Sequence, residues 1–370
     1  MQNYALATLF FLSCCTFAPC DDQNSSLNRL PMVSKWGKLP DGREVNLFRI
    51  SNSNGVIATL SNYGALLVSV EIPDEEGNLT DVTLSYQSLE EALAGGVNGS
   101  VIGRFANRID GGGFSIDGKK FELETVNKKT NVHIHGGKTG FHRQLWDVDI
   151  NEVNAQNESV RFSLKSPDGH EGYPGEVDVS VRYTLTENNI LRLDYMGETN
   201  APTHLNLTNH VYFNLAGSGN VLEHSLKLEA EKYLEIDKRK IPTGNFVPVN
   251  GTPLDFTTTK QIGQDIERIP DGGYDHCFVV PGYRPEGSLR AFATLSDPES
   301  GRTLEIATTL PGVQIYTANH FKGEPYPQWG GICFETQFYP DTPNKPQFPT
   351  SLLRPGETFQ HATEFRFSWE

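Results

Sequence analysis

Cysteine is scarce, and most of it sits at the wrong end of the chain for a cross-linked fold. Of five cysteines, Cys14, Cys15 and Cys20 fall within the first twenty residues, leaving Cys277 and Cys333 for the remainder. No Cys-x-x-Cys pair or histidine cluster surrounds these two, so neither a disulfide framework nor a structural zinc site is expected. Both read as buried thiols, the small hydrophobic role of free cysteine; the sequence leaves open whether they lie close enough to pair. The chain also lacks an apolar run of the roughly 20 residues that a membrane-spanning helix requires. It contains no phosphate-cradling P-loop, no dinucleotide fingerprint, no Gly-x-Ser-x-Gly elbow and no HExxH zinc motif. Positive charge is in short supply, with 31 Lys and Arg against 46 Asp and Glu and a formal net charge of -15. Such a surface repels nucleic acid and anionic membrane and suits a soluble protein that handles neutral or cationic small molecules.

What is present begins with an apolar run from Ala5 to Ala18, followed abruptly by Asp21-Asp22. Residues 1–20 read as a secretory signal peptide whose only positive charge is the terminal amine, which predicts a secreted, extracellular protein. Residues 21–32 are polar and read as a loose N-terminal segment, and 33–370 as one large domain. Glycosylation sequons at Asn24, Asn78, Asn98, Asn157, Asn206 and Asn250 fit that route.

From Val33 onward the dominant period is two. In GEVDVSVRYTLTENNILRLDY, Val177, Val179, Val181, Tyr183 and Leu185 alternate with polar residues, and the pattern resumes at Leu191, Leu193 and Tyr195. This predicts a hairpin with one buried face. HSLKLEAEKYLEID and GRTLEIATTL alternate similarly, and FSIDGKKFEL after the GGGF turn predicts another hairpin. Helical signals are short: SLEEALAG, with Ser88 and Glu91 at capping-box spacing, and KQIGQDIERI at 260–269. Neither can serve as a crossover for a parallel sheet, so the class is all-β and mainly antiparallel.

Polar groups gather in five apolar or glycine-flanked segments: IGRFANRID (102–110), NVHIHGG (131–137), HLNLTNHVYFNLAG (204–217), GGYDHCFVV (272–280) and GICFETQF (331–338). Each places His, Asp, Glu, Asn or Arg where a core residue would otherwise sit. Burying such a group unpaired costs about 1–3 kcal/mol, more for a charge, so their recurrence suggests one shared site. His210 and Glu335 stand out because both titrate near neutral pH when their surroundings shift them. His133 and His135, at i and i+2, would face the same way on a strand, a zinc-like arrangement with no third ligand evident.

These segments resemble the motifs of the aldose 1-epimerase (galactose mutarotase) family. They are the Gly-Arg-x-Ala-Asn-Arg-Ile run, His-Gly-Gly, Thr-Asn-His-x-Tyr-Phe-Asn-Leu, Tyr-Asp-His, Pro-Gly-Val-Gln-x-Tyr-Thr-x-Asn at 311–319, and Glu-Thr-Gln with its Pro-Asp. All six occur in family order across nearly the whole chain after Val33. The resemblance implies a large antiparallel β-supersandwich and interconversion of the α and β anomers of free aldoses such as glucose and galactose. It implies Glu335 as general base and His210 as general acid, with Asn107, Arg108, His135, Tyr212, Asp275 and Gln314 binding sugar hydroxyls. It implies no metal and no cofactor; the expected partners are small aldoses, with no nucleic acid or membrane and a monomer or weak dimer. Two departures bear on sugar preference: Cys277 stands where relatives often carry Asn, and Val211 where a small polar residue is common. Mutual attraction should favour ionised Glu335 beside protonated His210, with Phe334 and Phe338 lowering the local dielectric. The competing readings are a hexose 6-phosphate epimerase, a secreted carbohydrate-binding protein without catalysis, and a glycosidase pairing Asp275 with Glu335.

Overall fold

The computed structural model describes residues 31–370 except 75, 125–127 and 150–156. The leader expected over residues 1–20 and the sequon at Asn24 lie outside the described residues. The first strand opens at Met32, one residue before the expected start of ordered structure.

Alternation every second residue puts one apolar and one polar face on each strand, and the fold buries the apolar faces against each other. The predicted hairpin forms between Val177–Thr186 and Ile190–Thr199, with Val181 opposite Tyr195 and Tyr183 opposite Leu193. It belongs to a nine-stranded sheet. The last strand, Phe359–Ser368, lies between Ile190–Thr199 and Thr303–Thr308 and so joins the middle of the chain to its C-terminal third. A six-stranded sheet runs in spatial order Tyr212–Phe213, Ile332–Gln337, Gly312–Tyr316, Asp275–Val279, Lys232–Ile236 and Pro242–Pro248. A five-stranded meander covers Met32 to Asp81. Every strand pair among the described residues is antiparallel apart from one bridge between Phe105 and Asn206.

The two large sheets pack face to face through aromatic and β-branched residues. Phe213 meets Phe365 at 5.0 Å and Phe367 at 6.1 Å between ring centroids. Thr336 meets Thr363 in a 2.6 Å hydroxyl contact that satisfies both buried groups. Phe278, Val313, Ile315, Ile332 and Phe334 share this core. Burial of each large side chain stabilises by about 1.5–3 kcal/mol.

Two helical expectations fared differently. Leu89–Ala94 is an α-helix whose Ser88 hydroxyl accepts from Glu91 N–H at 3.2 Å. The returning Glu91 carboxylate takes the Gln87 N–H at 2.8 Å rather than that of Ser88, shifting the box by one residue. The segment 260–269 is not an α-helix: Lys260–Gln261 pairs with Ser225–Leu228, and two single 3-10 turns follow. Lys260 is held by Asp265 at 2.7 Å and the Pro253 carbonyl at 2.9 Å, so tertiary contacts override a weak helical pattern. The Asn206 sequon is no surface feature either: the side chain is fully buried, accepting from Phe338 N–H at 2.8 Å.

Candidate active site

The six-stranded sheet has a second face, and period two decides what stands on it. Glu335 lies opposite Gln314, and Gln314 opposite Cys277; one row away, Cys333 lies opposite Tyr316 and Tyr316 opposite Asp275. Tyr212 extends that row from the neighbouring strand, opposite Cys333. The odd-numbered residues Cys333, Glu335 and Gln337 therefore face away from the core that Ile332, Phe334 and Thr336 join. This corrects the expectation for the phenylalanines: Phe334 points into the inter-sheet core, and Phe338 packs at 5.3 Å on His361. The low dielectric around Glu335 comes instead from its burial among Cys333, Tyr212 and their neighbours.

Loops bring the remaining groups over this face. Asn107 and His135 both have positive φ, 62° and 51°, which turns each side chain out of its strand direction. They fix one another: His135 N–H donates to the Asn107 carbonyl at 2.9 Å, and Asn107 N–H donates to His135 Nδ1 at 3.3 Å. Gly136 makes the approach possible, since a Cβ there would overlap the Gly103 carbonyl. The same turn ends the alternation on which the shared face of His133 and His135 depended. His133 stays buried beside Tyr173 and bonds the Glu124 carbonyl, whereas the His135 ring stands 5.3 Å from that of His210. The Pro-Asp of the last motif supports the Arg108 segment, as Asp341 N–H donates to the Arg108 carbonyl at 2.7 Å and its carboxylate accepts from Asp110 N–H at 3.0 Å.

His210 Nε2 lies 3.5 Å from Glu335 Oε1, both side chains almost fully buried, and Glu335 Oε2 has no partner. His210 Nδ1 contacts the Cys333 sulfur at 3.4 Å, and its ring lies 5.1 Å from that of Tyr212. Burial, then the charge of Asp275, pushes the Glu335 carboxyl up to about 8 against the opposing pull of Arg108. Burial pushes His210 down to about 4. Desolvation thus outweighs the attraction expected between the two charges and favours the neutral form of each group.

Asp275 is the opposite case. Its Oδ1 accepts from the Gln314 amide at 2.6 Å, and Oδ2 meets Lys240 at 2.7 Å and Arg108 at 3.6 Å. Burial works against its charge, but Arg108, Lys240 and the Gln314 amide outweigh it and hold the carboxyl below its ordinary value.

The aldose 1-epimerase family model matches residues 46–366. The chain belongs to the aldose 1-epimerase family. It is 40% identical over 344 residues to human galactose mutarotase, covering 90% of this chain and 97% of that protein. It is 34% identical over 361 residues to aldose 1-epimerase of Escherichia coli K12, covering 92% and 99%. Among solved structures it superposes on the aldose epimerase homologue of C. elegans with a TM-score of 0.80 at 31% identity, covering 88% of this chain and 99% of that one. For galactose 1-epimerase of Lactobacillus acidophilus the TM-score is 0.81 at 27% identity, with 92% and 99% covered. The supersandwich expectation holds, and membership makes this chain an isomerase.

All eight residues singled out from the epimerase motifs lie on this sheet face or on the loops above it. His135, His210 and Glu335 also offer ligand atoms within 4.8 Å of one another, a spacing a metal could use. The Asn107 N–H occupies His135 Nδ1 and thereby sets the ring proton on the other nitrogen, so His135 offers a donor suited to a sugar oxygen rather than a lone pair. Cys277 and Cys333 are both free and buried, one in each row. Many motif polars serve the scaffold instead. Arg104 donates to Ser166, Pro167 and Pro174, Asn209 to the Gly99 carbonyl, and Asn319 to the Tyr274 carbonyl. Two contacts had no motif to announce them: Cys333 against His210, and Lys240 against Asp275. The first is legible in retrospect, because Cys333 precedes Glu335 by one strand period. The second comes from a charged turn, DKRK, that sequence alone reads as solvent-facing.

Proposed function

We propose that this chain interconverts the α and β anomers of free aldoses, glucose and galactose among them, with Glu335 as base and His210 as acid. The observation that carries the reading is the buried 3.5 Å pair with its unpartnered Glu335 oxygen, in a member of the aldose 1-epimerase family. The two oxygens that must exchange protons, the C1 hydroxyl and the ring oxygen, are bonded to the same carbon, so base and acid must stand close together. The C1 hydroxyl donating to Glu335 Oε2 satisfies that oxygen and favours the ionised carboxylate, with the pair's proton on His210. Glu335 then takes the hydroxyl proton and His210 protonates the ring oxygen as the C1–O bond breaks. The open aldehyde rotates about C1–C2, and closure on the other face returns both protons to their starting groups. Asn107, Arg108, His135, Tyr212, Asp275 and Gln314 hold the remaining hydroxyls and the ring.

Asp275 does not fit a glycosidase acid, because cations and an amide hold it ionised with both oxygens engaged. Polarimetry of freshly dissolved α-D-glucose and α-D-galactose tests the proposal. Faster approach to equilibrium rotation with the wild type, lost in Glu335→Gln, is expected; rotation no faster than in buffer for either sugar contradicts it. We infer further that the leader sends this activity outside the cell. Protein from the medium should begin near Asp21, and intracellular protein retaining residues 1–20 would contradict that.

A further inference from the structure

Asp275 contacts two cations unequally. Lys240 Nζ sits 2.7 Å from Oδ2, a direct charge-assisted bond, while the Arg108 guanidinium stands back at 3.6 Å and spends one N–H on Asn107 Oδ1 at 3.2 Å. The turn that presents Lys240 is built for it. Asp237 N–H donates to the Ile241 carbonyl at 2.8 Å and Lys240 N–H returns to the Asp237 carbonyl at 2.9 Å. Lys240 itself is held at φ 63°, an unfavourable conformation for a long side chain. The Asp237 carboxylate caps the turn, accepting from Ile241 N–H at 3.0 Å and Arg239 N–H at 2.7 Å. Arg239 then makes a two-pronged pair with Asp110, at 2.7 and 3.2 Å. Asp110 lies two residues beyond Arg108, so the Lys240 turn is tied to the strand that delivers Arg108. Lys240 is only 20% exposed and Asp275 11%, which shelters their pair from screening.

We propose that Lys240 is a positioning residue for the sugar: it occupies the Asp275 carboxylate and so leaves Arg108 free to donate to substrate hydroxyls. Without Lys240 the guanidinium would close on Asp275 and be lost as a donor to the sugar. The inference deepens the anomer-exchange reading and rests on it.

The test is Lys240→Met and Lys240→Arg, assayed by polarimetry on galactose. Lys240→Met should raise KM about tenfold, the scale of one charge-assisted hydrogen bond, with kcat falling less. Lys240→Arg should recover most of the loss, which a role in folding alone does not predict. In an Asp275→Asn background, Lys240→Met should add no further loss. Calorimetric titration of galactose into Glu335→Gln, with and without Lys240→Met, reads the same site without turnover and should show the same weakening. Wild-type KM and affinity in Lys240→Met, or losses that add in the double variant, overturn the inference while leaving mutarotation intact. If the wild type accelerates no aldose and Glu335→Gln binds no galactose, the anomer-exchange reading fails and this inference fails with it.

Discussion

The two faces of the strand Ile332–Gln337 are equally buried and chemically opposite. One face carries Ile332, Phe334 and Thr336 into the space between the large sheets, where every apolar atom has neighbours and the one hydroxyl is paired. The other carries Cys333, Glu335 and Gln337 beneath the loops of Asn107 and His135, and there Glu335 Oε2 has no partner. Burial of an unpaired carboxyl costs stability that the core face must offset. The contrast teaches that depth alone does not distinguish scaffold from site; on this strand the difference is an ionisable group with an unpartnered oxygen.

Substitutions on the two faces should therefore separate stability from activity. Phe334→Ala, on the core face, is expected to lower stability by about 3–5 kcal/mol in denaturant unfolding, because packing around the void relaxes only in part. Its site groups stay in place, so the folded fraction should keep a turnover close to wild type. Glu335→Gln, one residue along, should lower kcat by at least about 100-fold, the low end for a positioned acid or base, while folding normally. A loss of activity from Phe334→Ala that matched Glu335→Gln would erase the distinction between the faces.

The same glutamate sets a pH signature for stability. With its carboxyl raised to about 8 in the folded chain from an ordinary 4.5, the folded state holds a proton that the unfolded state has released across that interval. The Glu335 contribution to stability should therefore fall as pH rises from about 4.5 to about 8, against the opposite drift of the buried histidines, His210 among them, whose folded values are pushed down. Glu335→Gln lacks this ionisation, so its melting temperature should gain on the wild type over the same range. A gap that stayed constant would mean that Glu335 is not desolvated as described. Smaller again is Asp275→Asn, which should raise KM about tenfold by removing a charged hydrogen-bond partner, with less effect on kcat. Unchanged saturation and turnover would take Asp275 out of the sugar site.

Much of this was legible in the chain because period two carries it. The hairpin at Val177–Thr199 follows from alternation, whereas Glu335 and His210 stand out as polar residues set in apolar runs and by their match to the epimerase motifs. Two of the overturned expectations have plain physical causes. Segment 260–269 has a helical spacing too short to nucleate against the ties that Lys260 makes. Phe334 and Phe338 are adjacent to or near Glu335 in sequence, yet strand geometry sends Phe334 to the other side of the sheet. The charge state of the His210 and Glu335 pair was not legible, since it turns on desolvation, a property of the packed site rather than of residue type. Lys240 was hidden for a different reason: the long-range antiparallel pairing of Lys232–Ile236 with Asp275–Val279 sets its turn beside Asp275, and no local pattern announces that register.

The decisive measurement is the pH profile of kcat/KM for galactose mutarotation, which reports the free enzyme's ionisations. With one proton held by the Glu335 and His210 pair between about 4 and about 8, the profile should be a bell with limbs near those values. Below the lower limb no base remains, and above the upper one no acid. A rate that stayed flat through both limbs, or a bell that survived unchanged in Glu335→Gln, would contradict catalysis by this pair.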